Sequence, residues 1–235
     1  MTEEKNSLAF WFPPLQRAGL PVPKTRIVKT EVSLIELLDG QEPTGMGEFI
    51  VELARAADEI GFPCFLRTGH GSGKHDWADT CYVARRGELV RHICALVEWS
   101  NTVDIFGLST DVWVVRELIQ TKPLFYAYAF GGFPVTREFR LFVRDAEVEG
   151  VYPYWPADAL EPGQPDAADW RDLLAAASTI KVDETKELSQ LALRACAAVG
   201  GGYWSVDFLQ DVDSKWWLTD MAEGERSYRP GDPHP

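Results

Sequence analysis

Cations are in deficit along this 235-residue chain, with 23 Lys and Arg against 36 Asp and Glu for a net charge of −13. That balance argues against a broad electrostatic grip on DNA or RNA, because neutralising phosphates takes clustered cations. A local basic pocket for a nucleotide remains compatible with it, as does a cationic or metal-bridged partner. Cysteine is sparse: residues 64, 81, 94 and 196 are scattered, without a CxxC pair or a metal-ligand spacing. They read as reduced, small buried residues. No apolar run approaches the ~20 residues that span a bilayer. The N-terminal MTEEKNSLAF lacks the apolar stretch of a signal peptide. A cytoplasmic protein is the expectation. Also missing are GxxxxGK[ST], GxGxxG, GxSxG and HExxH, and histidines 70, 75, 92 and 234 form no metal spacing.

What is present is ordinary apolar content with a surplus of aromatics, nine Trp and twelve Phe, which suggests a well-filled core. Residues 1–10 read as a lead-in and 11–20 as a short helix ended by Gly19. A strand at 26–29 and a short helix at 31–39 follow. From Glu48 to Ile60 apolar residues recur at helical spacing, and Gly61 ends that helix. Strands are expected at 62–66, 80–84, 112–120, 125–130, 138–144, 148–154, 204–209 and 215–219. Helices are expected at 88–99, 168–177 and 184–199, a loop at 155–168, and a polar tail beyond Glu223.

Three stretches carry chemistry. In GFPCFLRTGHGSGKHDW (61–77) a strand ends in Arg67 and runs into glycines 69, 71 and 73, with Ser72 and Lys74 beside them. Glycines let backbone N–H groups turn toward an anion, and Arg and Lys suit phosphate oxygens; a plain turn is the alternative. Asp207 in WSVDFL and Asp220 at the end of WWLTD flank one turn, which places them on neighbouring antiparallel strands. Two carboxylates aimed the same way are costly without a positive group between them, and Mg²⁺ shared with substrate phosphates is the usual answer. Strand ends facing solvent are the alternative. Arg140 lies on the polar side of EFRLFVR with Glu138, while Arg116 and Glu117 interrupt an apolar strand, as nucleotide contacts or as a buried salt bridge.

Taken in order, these pieces resemble the ATP-grasp superfamily. LQRAGLPVPKT is similar to the family's opening helix and turn, and ELARAADEIGFPCFLRT to its next helix and strand, with Arg67 at the position of an ATP-binding lysine. GHGSGK resembles the flexible glycine-rich loop over the phosphates, VVRELIQ the hinge strand that meets the adenosine, TREFRLFVRD the strand after it, and GGGYWSVDFLQDVDSKWWLTDM the metal-binding hairpin. The resemblance implies an α+β ATP-grasp fold of two α+β subdomains, with nucleotide bound between antiparallel sheets. One ATP-grasp domain is expected over 11–225, its smaller lid-like subdomain at about 45–112 and the larger metal-binding subdomain in the rest, with a polar tail at 226–235.

By the same resemblance, Arg67, Lys74 and Arg140 are the catalytic cations. ATP would be held by Arg67, Ser72, Gly73, Lys74, His75, Arg116, Glu117, Leu118, Ile119, Glu138 and Arg140, and Mg²⁺ by Asp207 and Asp220. The usual acid-x-Asn ending reads Asp220-Met221-Ala222 here, so Glu223 or water would complete the metal shell. Typical members carry an additional domain before the stretch that matches, and none is seen, as in the family's divergent phage and bacterial branches and its eukaryotic translation-factor assembly chaperone. The expected function is ATP-dependent joining of a carboxylate to an amine or thiol through an acylphosphate. A nucleotide-binding assembly protein with a basic partner is the second reading, and phosphoryl transfer or nucleic-acid end joining a third, against which the charge counts.

Overall fold

In the computed structural model the described residues are 4–103 and 107–230. The first three residues of the expected lead-in, the end of the tail and His234 lie outside them. The elements run α1 (Leu8–Arg17), β1 (Thr25–Lys29), α2 (Met46–Ile60), β2 (Cys64–Thr68), β3 (Tyr82–Val83), α3 (Leu89–Thr102), β4 (Val112–Glu117), β5 (Phe125–Ala127) and β6 (Phe133–Val135). They continue with β7 (Glu138–Arg144), β8 (Glu147–Pro153), α4 (Ala157–Leu160), α5 (Trp170–Ala177), α6 (Val182–Ala198), β9 (Tyr203–Gln210) and β10 (Trp216–Glu223). This is an α+β chain, and every pairing within its two four-stranded sheets is antiparallel.

The chain divides into two compact units, one comprising Pro23–Leu118 with Ala129–Phe133, the other the chain up to Val22, Ile119–Tyr128 and Pro134 onward. In the first unit the strand order is β1-β4-β2-β3. Period-two alternation sends Leu66, Trp113, Val115 and Val28 to one face, where they form a core with Phe49, Leu53 and Ala57 of α2 and Leu89, Ile93 and Leu96 of α3. The helical spacing of those apolar residues is why α2 and α3 form and why they lie on that face. This unit is wider than the expected 45–112, because β1 pairs along the whole of β4.

In the second unit the order is β10-β9-β7-β8. Phe139, Leu141, Val143, Trp204, Val206 and Phe208 share one buried face, with α6 against β7, β8 and β9 and α1 against β10. Arg137 fastens the start of α6: its guanidinium donates to both carboxylate oxygens of Glu184 at 2.6 and 3.0 Å and to the carbonyls of Ala177 and Thr179.

Several elements differ from expectation. α1 begins at Leu8 rather than at 11, since Leu8 is fully buried and starts the apolar stripe. The helix expected at 31–39 is a tighter 3-10 turn, Leu34–Asp39. The strand expected through 120 stops at Glu117, where the chain passes from one unit to the other. The strand at 125–130 gives way to a 3-10 turn from Tyr128, and the short strand β6 was not expected. The loop at 155–168 holds α4 and a 3-10 turn.

Candidate functional site

The second unit's sheet carries its chemistry on the face opposite the helices. Antiparallel register sets Tyr152 of β8 opposite Arg140 of β7, Arg140 opposite Asp207 of β9, and Asp207 opposite Asp220 of β10. Directly opposed residues point the same way, so the four side chains form one row across the sheet. A β-bulge between Leu218 and Asp220 makes this possible. Leu218 lies opposite Phe208 on the core side; in a regular strand Asp220, two residues on, would face the core as well, and the extra residue Thr219 in the bulge turns it to the other face. The Thr219 hydroxyl donates to the Asp207 carbonyl at 3.3 Å, pinning the bulge.

Within the row Arg140 donates from Nε and a terminal nitrogen to the two oxygens of Asp207, at 2.7 and 2.8 Å. Its guanidinium carbon lies 4.7 Å from the Tyr154 ring centre. Burial works against the charged guanidinium, but the Asp207 carboxylate outweighs it and holds Arg140 above its ordinary pKa. Glu138, two residues along the same face, is buried, and its Oε1 accepts from the Thr136 hydroxyl at 3.1 Å and the Trp155 indole N–H at 3.0 Å.

Among the described residues no three His, Cys, Asp or Glu side chains cluster as a metal cage. Asp207 and Asp220 still fit one Mg²⁺ that arrives with a phosphorylated ligand. A carboxylate has about four lone-pair sites, so Asp207 can keep Arg140 and share an oxygen, and Mg²⁺ commonly needs only one or two carboxylates beside phosphate oxygens. Ala222 offers no side-chain donor. Glu223 does not join the row: being an odd number of residues beyond Asp220 it faces the other way, where it accepts from Asn6 at 3.0 Å and pairs with Lys5 at 3.4 Å.

In the first unit, Arg67 and Arg116 lie on one face, again away from the helices. Arg116 is opposite Phe65 and Thr25, and Arg67 is opposite Val114. Both arginines are buried, at 3% and 4% exposure. Arg67 Nε donates to the Thr68 carbonyl at 3.0 Å, and Arg116 Nε to the Thr25 hydroxyl at 3.4 Å. Glu117, next in sequence, faces the other way and accepts from the Lys24 N–H at 2.6 Å. Of the residues expected to meet the adenosine, Arg116, Glu117 and Leu118 fall in this unit and Ile119 in the other.

The glycine loop is a tied-down turn. Thr68 N–H donates to the Gly71 carbonyl at 3.0 Å, Gly71 N–H donates to the Thr68 hydroxyl at 3.2 Å, and the Thr80 hydroxyl donates to the Gly73 carbonyl at 2.7 Å. Gly71 seats the loop on Trp99: a Cβ there would lie 2.3 Å from the indole Cη2. Gly73, at φ +62°, turns the chain into the 3-10 segment Lys74–Asp76. Ser72 is half-buried in this turn. Lys74 Nζ is 6.0 Å from the Phe133 ring centre, and the His75 imidazole stacks on Phe130 at 4.7 Å. Lost hydration and the neighbouring Lys74 charge lower the His75 pKa, which favours a neutral donor over a cation.

Behind the loop, the fully buried His92 bonds from Nδ1 to the Thr80 carbonyl at 2.9 Å, and its Nε2 lies 3.2 Å from an Arg91 nitrogen. With Arg91 a donor only, Nε2 must accept and Nδ1 carry the proton. His92 thus braces the loop through Thr80.

The structure therefore brings together Glu138, Arg140, Asp207 and Asp220 in one unit, and Arg67 and Arg116 on one sheet face of the other, with Ser72, Gly73, Lys74 and His75 in the loop that follows β2. It leaves Glu223 apart. Tyr152, Tyr154, Trp155 and Thr136 were missed; the strand register, once Arg140 is chosen, is the signal that would have found Tyr152.

No family model and no curated protein matches this sequence. Solved structures do share its fold. An ADP complex of N5-carboxyaminoimidazole ribonucleotide synthetase covers 93% of this chain and 44% of its own, at 11% identity and a TM-score of 0.53. N5-carboxyaminoimidazole synthase from Aspergillus clavatus, with ADP and 5-aminoimidazole ribonucleotide, has the same coverage, 13% identity and a TM-score of 0.54. D-alanine–D-alanine ligase from Bacillus anthracis, with ATP, gives 94% and 55% coverage, 13% identity and a TM-score of 0.53. The chain thus spans roughly half the length of the structures it matches.

Proposed function

Because the chain has the ATP-grasp fold, we propose that it is a cytoplasmic, ATP- and Mg²⁺-binding ligase that joins a carboxylate to an amine or thiol. The observation that carries this reading is the row Arg140–Asp207–Asp220, a guanidinium and two carboxylates in register on one face. Such a row suits a phosphorylated ligand: Arg140 takes phosphate oxygens, and the carboxylates take the cation that accompanies them. When bound, Mg²⁺ would neutralise charge on the phosphates.

In the proposed reaction an acceptor carboxylate oxygen attacks the γ-phosphorus, the bond to the β-phosphate oxygen breaks, and ADP leaves. The amine or thiol then attacks the acyl carbon of the acylphosphate, loses its proton, and expels inorganic phosphate. The residues supply position and charge. Asp207 holds the Arg140 fork in one orientation and Tyr154 supports its face, so little reorganisation is needed as charge develops on the phosphoryl oxygens. Arg67 and Lys74 are assigned to phosphate, with Ser72, Gly73 and His75 as further donors, and residues 116–119 to adenosine. Glu138, held by Thr136 and Trp155, is placed among the nucleotide contacts.

Calorimetric titration with Mg-ATP tests the site. Asp220→Asn and Arg140→Gln should each weaken binding at least about tenfold, the scale of one lost charge-assisted contact. Unchanged affinity in both variants refutes the assignment. A second reading, a nucleotide-binding assembly or interaction protein, draws support from Ala222 at the place where a third ligand is expected. ADP and phosphate release with candidate acceptors separates the two: tight Mg-ATP binding without turnover on any acceptor favours the second.

A further inference from the structure

The segment after β10 does not leave the sheet. A single 3-10 turn, Gly224–Arg226, reverses the chain, and Ser227, Tyr228 and Arg229 then cross the face that carries the Arg140 row. Each of the three residues is fastened to a different strand. The Ser227 hydroxyl lies 2.5 Å from that of Ser205 on β9, in the row next to Asp207. The Tyr228 carbonyl accepts from Arg140 at 3.3 Å, through the terminal nitrogen that Asp207 does not use. Arg229 Nε donates to the Tyr152 hydroxyl at 3.0 Å, a terminal nitrogen donates to Glu149 at 3.0 Å, and its guanidinium sits 5.4 Å from the Phe142 ring centre. Tyr152 is itself set in place for this contact: its ring lies over Gly150, where a Cβ would come within 2.5 Å of Cε2.

We infer that Ser227–Arg229 is an internal competitor for the site, a strap that a phosphoryl group displaces. The inference rests on the proposed nucleotide reading and deepens it by naming how access is controlled. Arg140 divides its donors between a carboxylate, which orients it, and a neutral backbone carbonyl, which occupies its remaining terminal nitrogen. A phosphoryl oxygen offers that cationic nitrogen a full negative charge and an ion-pair hydrogen bond, where the carbonyl offers only a dipole. The exchange therefore runs toward ligand, while Asp207 keeps its hold on the other side of the fork. Since Tyr228 is joined to Arg229 and Ser227, losing its contact unfastens both neighbours. Part of the ligand's binding free energy goes into opening the strap, so closure lowers the apparent affinity.

The full-length chain tests this in two measurements. Arg229→Gln removes the anchor on Tyr152 and Glu149 and leaves Arg140, Asp207 and Asp220 as they are, and Ser227→Ala removes the other tether. Each should tighten Mg-ATP binding about three- to tenfold by depopulating the closed form. In the wild-type chain, Mg-AMPPNP should speed hydrogen exchange at residues 225–229. Equal or weaker affinity in both variants, or slower exchange with ligand, overturns the inference, since either result makes the segment a wall of the site. A wild-type chain that binds no nucleotide, with exchange unchanged, overturns the nucleotide reading and the strap with it. Firm binding with an indifferent strap overturns the strap alone.

Discussion

Gly71→Ala is a one-methyl perturbation whose consequence can be worked from coordinates. The new Cβ would meet Trp99 Cη2 at 2.3 Å and Cζ3 at 2.7 Å, where ordinary contact begins at 3.4 Å. Something must yield by about 1.1 Å, the difference between 3.4 and 2.3. The loop resists, because Thr68 grips Gly71 from both its N–H and its carbonyl, at 3.2 and 3.0 Å. Trp99 also resists, because its indole packs against the core that α2 and α3 share. Overpacking of this kind costs about 1–3 kcal/mol. For a chain of this size each kcal/mol lowers the melting temperature by roughly 2–4 °C. Trp99→Phe takes away the distal indole ring that the methyl would strike. The double variant should therefore recover at least about 1 kcal/mol relative to the sum of the singles, well beyond the ~0.5 kcal/mol scatter of independent sites. Urea unfolding followed by far-ultraviolet dichroism on all four proteins measures this coupling. Simple additivity would show that Gly71 serves loop mobility rather than its seat on Trp99.

Three other outcomes follow from contacts described above. Arg137→Ala strips Glu184 of its two-pronged partner and frees two carbonyls, and should cost about 2–3 kcal/mol in the same assay, the range of hydrogen bonds to charged groups. Burial, with Arg91 adding to it, holds the His92 pKa below its usual 6.5, so the unfolded chain takes up its proton first as pH falls. Stability present above 6.5 should then decline as pH falls, and His92→Gln should flatten that slope; an identical slope in the variant refutes it. Cys94 is exposed, whereas burial lifts the thiols of Cys64, Cys81 and Cys196 to about 12, so a disulfide reagent should modify one thiol quickly in the native chain and all four in denaturant.

The sequence showed most where periodicity speaks for itself. The apolar spacing from Glu48 to Ile60 gave α2, and the alternation of EFRLFVR gave β7 with both its ends. The ordered set of motifs was enough to name the fold and to bring Arg140, Asp207 and Asp220 forward as a group. What stayed hidden was decided at long range. Nothing local marks Thr219 as a bulge, so the faces taken by Asp220 and Glu223 could not be read, and Glu223, expected beside Asp220, faces the other way. Gly71 looked like part of a flexible loop because Trp99, its partner, lies far along the chain in α3. Ser227–Arg229 read only as part of a polar tail because its anchors, Ser205, Arg140 and Tyr152, come from three separate strands.

The bulge at Thr219 makes β10 a strand of two phases. Upstream, Trp216 and Leu218 belong to the hydrophobic interior; downstream, Met221 takes over that duty and Asp220 and Ala222 belong to the working surface. A single codon removed at Thr219 would set Asp220 directly after Leu218 and leave it on the working surface, still opposite Asp207. A strand that kept Thr219 but lost the bulge would instead trade the allegiance of every residue that follows, swallowing a carboxylate into the apolar layer and presenting a methionine where an acid belongs. The irregularity of this strand, as much as its composition, is part of what the chain encodes about its chemistry.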